Sequence, residues 1–318
     1  MINIFYDEKM VKENGGFSPS SFKPSKVIDD WSKEFHSQFL INKFKPLEKE
    51  VFYKVHKKEY VDGIFNGLIE NGYGLKSSDF GEVFSLTSGS LYAAAKAALK
   101  SGIAISPTSG FHHARWEKSE GFCTFNGLVL TSVLLKEKGM INKVGILDFD
   151  MHYGNGTDEI INKYNLDYII HYTAGKKYDL NYPFLNFLKP LIKKVYNKKF
   201  KSNGKDINKP KLRQMLLKSK GSIFINEIDD ILLKFKDCDL IIYQAGADQH
   251  INDPYGGLLS YEQMKIRDEK VFNFAQKNNI PLVWNLAGGY QKDKDGSIEP
   301  VLKCHRNTME ACLNIFKK

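Results

Sequence analysis

Apolar and polar positions change period repeatedly along this chain. Short β-rich runs occur at Ile2 to Tyr6, Gly102 to Ser106, Val144 to Phe149, Tyr168 to Tyr172, Leu240 to Tyr243 and Leu282 to Leu286, each bounded by polar or glycine clusters. Helical spacing lies between them. Ser90 to Lys100 (SLYAAAKAALK) has a serine at its start, strong helix formers inside and Gly102 just beyond, and so predicts a helix. Ser260 to Lys277 and Pro300 to Phe316 read as amphipathic helices, and Ile223 to Phe235 also carries helical periodicity. Strands alternating with helices predict an α/β fold with a central, mainly parallel sheet flanked by helices. No internal repeat or linker interrupts the pattern, so residues 1–318 are expected to form a single domain.

Composition narrows this picture little. At 318 residues and 42% hydrophobic content the chain can fill a large core. The opening MINIFYDEKM alternates like a strand rather than a secretory leader, and no apolar run approaches the roughly 18 residues of a membrane span, so a cytoplasmic protein with no membrane partner is expected. Cys123, Cys238, Cys304 and Cys312 form no C-x-x-C pair and predict buried, reduced thiols.

Charge is more informative because it is uneven. Of a net +9, the stretch Lys176 to Lys220 holds 14 Lys and Arg against two Asp, a local +12 that leaves the rest at −3. With Pro183, Pro190, Gly204 and Pro210 as breakers, about 176–222 reads as a Lys-rich insertion between core elements. It carries no nucleic-acid binding motif, so a solvated face is expected and a nucleic-acid partner is not.

Reactive residues cluster just past the predicted strands. His112 and His113 follow one, Asp148, Asp150 and His152 close the next, Asp248 follows a third and Tyr290 a fourth. In open parallel sheets ligands bind at that carboxyl edge, so these scattered groups are expected to meet in one pocket. Asp150 and His152, two apart at a strand end, point the same way and with Asp248 offer an O, N, O set. Three protein ligands leaving one position open is the pattern of catalytic zinc. Two carboxylates also make the site hard enough for Fe(II).

Four motifs occur in order: Gly110-Phe111-His112-His113-Ala114, then Asp148 through Thr157 (DFDMHYGNGT), Ala245-Gly246-Ala247-Asp248, and Ala287-Gly288-Gly289-Tyr290. Val55-His56 with Tyr60-Val61, Gly121-Phe122-Cys123 with Asn126, and Asp253-Pro254-Tyr255-Gly256-Gly257-Leu258 accompany them. Over nearly its whole length the chain resembles the superfamily of histone deacetylases, acetylpolyamine amidohydrolases and acetoin-utilisation proteins. That resemblance implies an arginase-like α/β fold and a zinc-dependent deacetylase with one Zn²⁺ per chain. It implies Asp150, His152 and Asp248 as ligands, His112 and His113 as the catalytic pair, and Tyr290 as the hydroxyl that meets the transition state.

On that reading His113 moves the proton, His112 is tuned by Asp148, and Asn155 can accept from His113. Gly288 and Gly289 give the backbone freedom to place Tyr290, while Phe122 and Gly121 line a narrow channel for an acylated amine. The substrate class spans acyl-lysine, acylated polyamine and small acylated metabolites, and the oligomeric state is open.

The chain departs from the family pattern in several places. Tyr153 replaces a second His, Asn155 stands where some members have Asp, and Ser109 replaces a glycine. Ile169 stands where many members place a serine of a monovalent-cation site, which counts against K⁺. Ala174 to Tyr178 lacks the aromatic that usually forms the second channel wall. An arginase-type ureohydrolase would need a second Asp where Gly154 stands. A non-catalytic acyl-amine binder would be expected to lose a ligand or the tyrosine, and all are present.

Overall fold

The computed structural model describes residues 1–13, 16, 18–178 and 209–316, the side chains of 209–219 excepted. Seven strands, β1 (Ile2–Phe5), β2 (Phe39–Asn42), β3 (Ile103–Ser106), β4 (Val144–Asp148), β5 (Ile169–Thr173), β6 (Leu240–Gly246) and β7 (Leu282–Ala287), form one sheet in the order β2-β1-β3-β7-β6-β4-β5. Every pairing is parallel. Buried on both faces, a parallel strand reads as a continuous apolar run rather than an alternating one. The wholly buried LIIYQAG of β6 and VGILD of β4 fit that rule.

Alternate residues of each strand feed two cores. On one face Ile241, Tyr243 and Ala245 of β6 and Leu282, Trp284 and Leu286 of β7 pack with α1 (Lys23–Glu34), α7 (Lys209–Leu233), α8 (Tyr261–Lys277) and α9 (Glu299–Phe316). On the other, Leu240, Ile242 and Val283 pack with α2 (Lys58–Phe65), α3 (Gly81–Ser101), α4 (Gly127–Glu137) and α5 (Asn155–Tyr164). Gly145 sits in a central strand because a side chain there would strike the Phe235 ring, 2.2 Å from its nearest carbon. All four cysteines are free and buried. Among the described residues no helix is long and apolar enough to cross a membrane.

Two expectations change. The helix read from Ser90 begins at Gly81: Gly89 stays within it because a Cβ would come 2.8 Å from the Lys45 carbonyl, so close packing, not a helix start, explains that glycine. The helix read from Ile223 begins at Lys209, because Pro210 stands in its first turn, where the missing N–H is unneeded. Residues 209–222 therefore belong to a core helix, and Gly175–Tyr178 forms a short α6. The rest of the Lys-rich insertion, 179–208, lies outside the described residues.

Sheet order brings the chemistry together. β3, β7, β6 and β4 are consecutive neighbours, so the segments after them share one stretch of the carboxyl edge. Register adds a row of polar side chains beneath it. Ser106 pairs with Asn285, Asn285 with Gln244, Gln244 with Asp148 and Asp148 with Thr173, and all five are buried.

A candidate metal site at the carboxyl edge of the sheet

Asp150, His152 and Asp248 each offer one ligand atom, and those atoms lie within 4.8 Å of one another. His152 Nδ1 stands 3.1 Å from Asp150 Oδ1 and 2.9 Å from Asp248 Oδ2. The fully buried Asp248 Oδ2 nonetheless receives no hydrogen bond among the described residues. Two carboxylate oxygens and a ring nitrogen facing one another at contact distance can share one cation, so this donor set fits a metal ion. The other oxygen of Asp248, Oδ1, accepts from the Met151 N–H at 3.1 Å, which aims the free oxygen inward. Gly288 (φ +45°) completes the cradle, because a Cβ there would lie 2.2 Å from the Asp248 carboxyl carbon.

The two histidines beside the donor set are held in opposite states. His112 Nδ1 donates to Asp148 Oδ2 at 2.9 Å. Burial works against the imidazolium, but Asp148 and Asp150 outweigh it and push the group up to about 9. His113 is pulled down to about 3 by burial and by His112, whose ring lies 4.0 Å away. Its Nδ1 donates to Asn155 Oδ1 at 2.8 Å, and that oxygen is fixed by the Gly156 N–H at 3.0 Å. His113 is therefore neutral with its lone pair on Nε2. Two adjacent groups with pKa values driven apart are an acid–base arrangement.

Tyr290 is buried, with its ring 6.5 Å from that of His152. Its N–H donates to Asp253 Oδ2 at 2.7 Å, and Gly289 (φ +90°) supplies the turn that only glycine adopts easily. Burial, then Asp150 and Asp248, hold its phenol well above the ordinary range, so it stays a donor. Phe122, itself at φ +64°, lies 5.6 Å from the Tyr290 ring. The preceding Gly121 leaves room for His113, whose ring would be 2.3 Å from an added Cβ.

Other contributors had no role assigned from the sequence, Tyr255 standing there only within a motif. Tyr255 is half-exposed, meets Tyr290 edge-on at 5.2 Å and gives its carbonyl to His152 Nε2 at 3.0 Å. It supplies an aromatic beside the tyrosine that residues 174–178 do not, since Tyr178 is buried with its hydroxyl on Glu227. Gln244 donates to Asp148 Oδ1 at 3.0 Å, and Arg267 holds the Gly246 carbonyl at 2.7 Å and Gln249 at 2.9 Å. Lys23, wholly buried, donates to the Gly288 carbonyl. Its ammonium is pulled down to about 8 by burial, against the pull of Asp248, Asp150 and Asp253. A lone amide in each of two otherwise apolar strands was the available signal for Gln244 and Asn285.

Ile169 is the first residue of β5. It pairs with Val144 at the opposite end of the strands from Asp148. The hydroxyl opposite Asp148 belongs to Thr173, which accepts the Gly154 N–H at 3.0 Å.

Fold and donor set together place the chain among parallel α/β proteins with a candidate metal site at the carboxyl edge of the sheet. The Histone deacetylase domain family matches residues 10–301, and the chain belongs to that family. It is 32% identical over 204 residues to Histone deacetylase 2 of Arabidopsis thaliana, covering 63% of this chain and 47% of that protein. It is 26% identical over 172 residues to Polyamine deacetylase HDAC10 of Danio rerio, covering 53% of this chain and 24% of that one. The matches thus span less than half the length of either relative. The solved HDA15 HD domain superposes with a TM-score of 0.72 at 15% identity, over 98% of this chain and 91% of that one, a likeness of fold.

Proposed function

We propose that this protein is a zinc-dependent amidohydrolase that removes an acyl group, acetyl first among the candidates, from an amine. The observation that carries the reading is the convergence of Asp150, His152 and Asp248 beside one neutral histidine and one buried phenol. Zn²⁺ held by these three residues would polarise the amide carbonyl and acidify a water.

The chain's own groups supply the rest. Nε2 of His113 takes the proton of the attacking water and returns it to the departing amine, its ring held by Asn155. His112, kept charged by Asp148, adds positive potential beside the developing negative charge. Tyr290 donates its phenolic hydrogen to the oxyanion, a contribution typically worth about 10²–10³ in rate. Phe122 and Tyr255 would flank an aliphatic acylated amine as it reaches Tyr290.

Acyl-lysine peptides, acylated polyamines and small acylated amines form the panel that tests the reading, with zinc-loaded protein and product amine as the readout. Turnover of one class names the substrate. Binding of one zinc per chain with no hydrolysis of any class would overturn the enzymatic assignment.

A further inference from the structure

A second concavity, built from residues separate from those of the metal site, lies on the outer face of α3. That helix turns Gly89, Tyr92, Ala93, Lys96, Ala97 and Lys100 to one side, and the segment Lys43–Leu47 after the edge strand β2 runs across it. Lys45 is pressed onto the helix at Gly89. Between the two elements lies a groove of about 480 Å³, lined also by Phe5 and Met140.

The groove has an apolar floor and a cationic rim. Phe44, Ala93 and Ala97 form the floor with the Tyr92 ring, while Lys43, Lys45, Lys96 and Lys100 line the wall, and among the described residues no acidic side chain lines it. Lys138 lies near enough to Lys96 to act on its charge. None of these five lysines makes an ion pair with a described carboxylate, although many other lysines do, Lys9, Lys49, Lys57 and Lys58 among them. The Lys96 ammonium instead sits 4.4 Å over the Tyr92 ring. Burial and the like charges of Lys138 and Lys100 lower its pKa, so this wall is under repulsion that an anion would relieve. Beneath it the Tyr92 hydroxyl is buried and has no hydrogen-bond partner among the described residues.

We propose that this groove binds a small phosphorylated molecule with a flat apolar body, of the nucleotide class. Several negative charges are needed to answer four or five ammonium groups, and lysine serves phosphate as a mobile point charge. The volume suits a drug-sized ligand. The aromatic and alanine floor matches a planar ring better than it matches bare phosphate.

The test is calorimetric titration of the full chain with ADP, without added divalent metal, beside pyrophosphate and an acidic peptide. Three variants accompany the native chain: Lys96→Glu/Lys100→Glu, Ala97→Phe, which fills the floor without altering charge, and Lys234→Glu/Lys236→Glu, a charge-matched control elsewhere. One saturating site for ADP is expected, weakened at least about tenfold by either groove variant and unchanged by the control, with thermal midpoints of the variants close to native. Three results would each overturn the proposal. ADP does not saturate up to millimolar concentration, the control pair weakens ADP as much as the groove pair, or pyrophosphate or the peptide binds as tightly as ADP. The result is independent of whether the metal site hydrolyses amides.

Discussion

Arg267 and Lys23 are both wholly buried cations that hold backbone carbonyls next to the metal site, yet their surroundings differ sharply. Arg267 has a dedicated counter-charge: Nε meets Asp268 Oδ1 at 2.8 Å, and Asp268 also accepts from Tyr243 and from Thr308. Asp248 is anchored through that set, because Arg267 grips the Gly246 carbonyl two residues before it. Among the described residues Lys23 hydrogen-bonds only the Gly288 carbonyl, and the carboxylates that favour its charge are Asp248, Asp150 and Asp253 of the site itself. One cation is structural and self-contained. The other shares the electrostatics of the centre, so its state must respond to whatever the ligands hold.

The contrast can be broken in order of size. Arg267→Met strands the buried Asp268 carboxylate and is expected to cost roughly 3–5 kcal/mol in denaturant unfolding. An equal loss from Lys23→Met would erase the distinction. His56 shows a third solution, a buried base that stays neutral: Nδ1–H donates to the Arg115 carbonyl at 2.9 Å, and Nε2 accepts from the Asn126 N–H at 2.9 Å.

Burial lowers the His56 imidazole to about 4. The unfolded chain then binds more protons below its ordinary value near 6.5. The His56 contribution is thus fully present above about pH 6.5 and is lost as pH falls toward 4, amounting to about 3 kcal/mol. His56→Gln should flatten that part of the stability curve, and an unchanged slope would refute the assignment.

Lys23 predicts the opposite end of the pH scale. With a folded value near 8 against roughly 10.4 unfolded, the unfolded state binds more protons in between. Stability should therefore rise over that window, by up to roughly 3 kcal/mol, and Lys23→Met should remove the rise. At neutral pH the same substitution removes a buried charge that no carboxylate contacts. It should cost less than about 1 kcal/mol or stabilise the fold.

The site was more legible in the sequence than the frame that holds it. His113, Asp150, His152, Asp248 and Tyr290 are chemically distinctive and each stands just past a strand that its apolar run betrays, so topology had only to bring four strand ends together. Edge strand β2 (FLIN) escaped notice because it is short and half solvated, without the alternation or the buried run that marks its neighbours. The start of α3 was hidden by glycine and serines, whose use is close packing rather than helix termination. Lys23 and Arg267 look like surface residues of amphipathic helices, and only the packing of α1 and α8 against the sheet turns them inward. Asn155 was legible as an acceptor for His113, and the structure adds the Gly156 contact that fixes its oxygen.

The most direct test of the proposed chemistry compares initial rates of amide hydrolysis by native protein, His113→Ala and Tyr290→Phe at equal zinc occupancy, on the best substrate of the panel. The account predicts one zinc per chain in all three, and losses in kcat of about two orders of magnitude or more for each variant. Hydrolysis that survives both substitutions within a few-fold would contradict the assignment of these two residues as the proton carrier and the oxyanion donor.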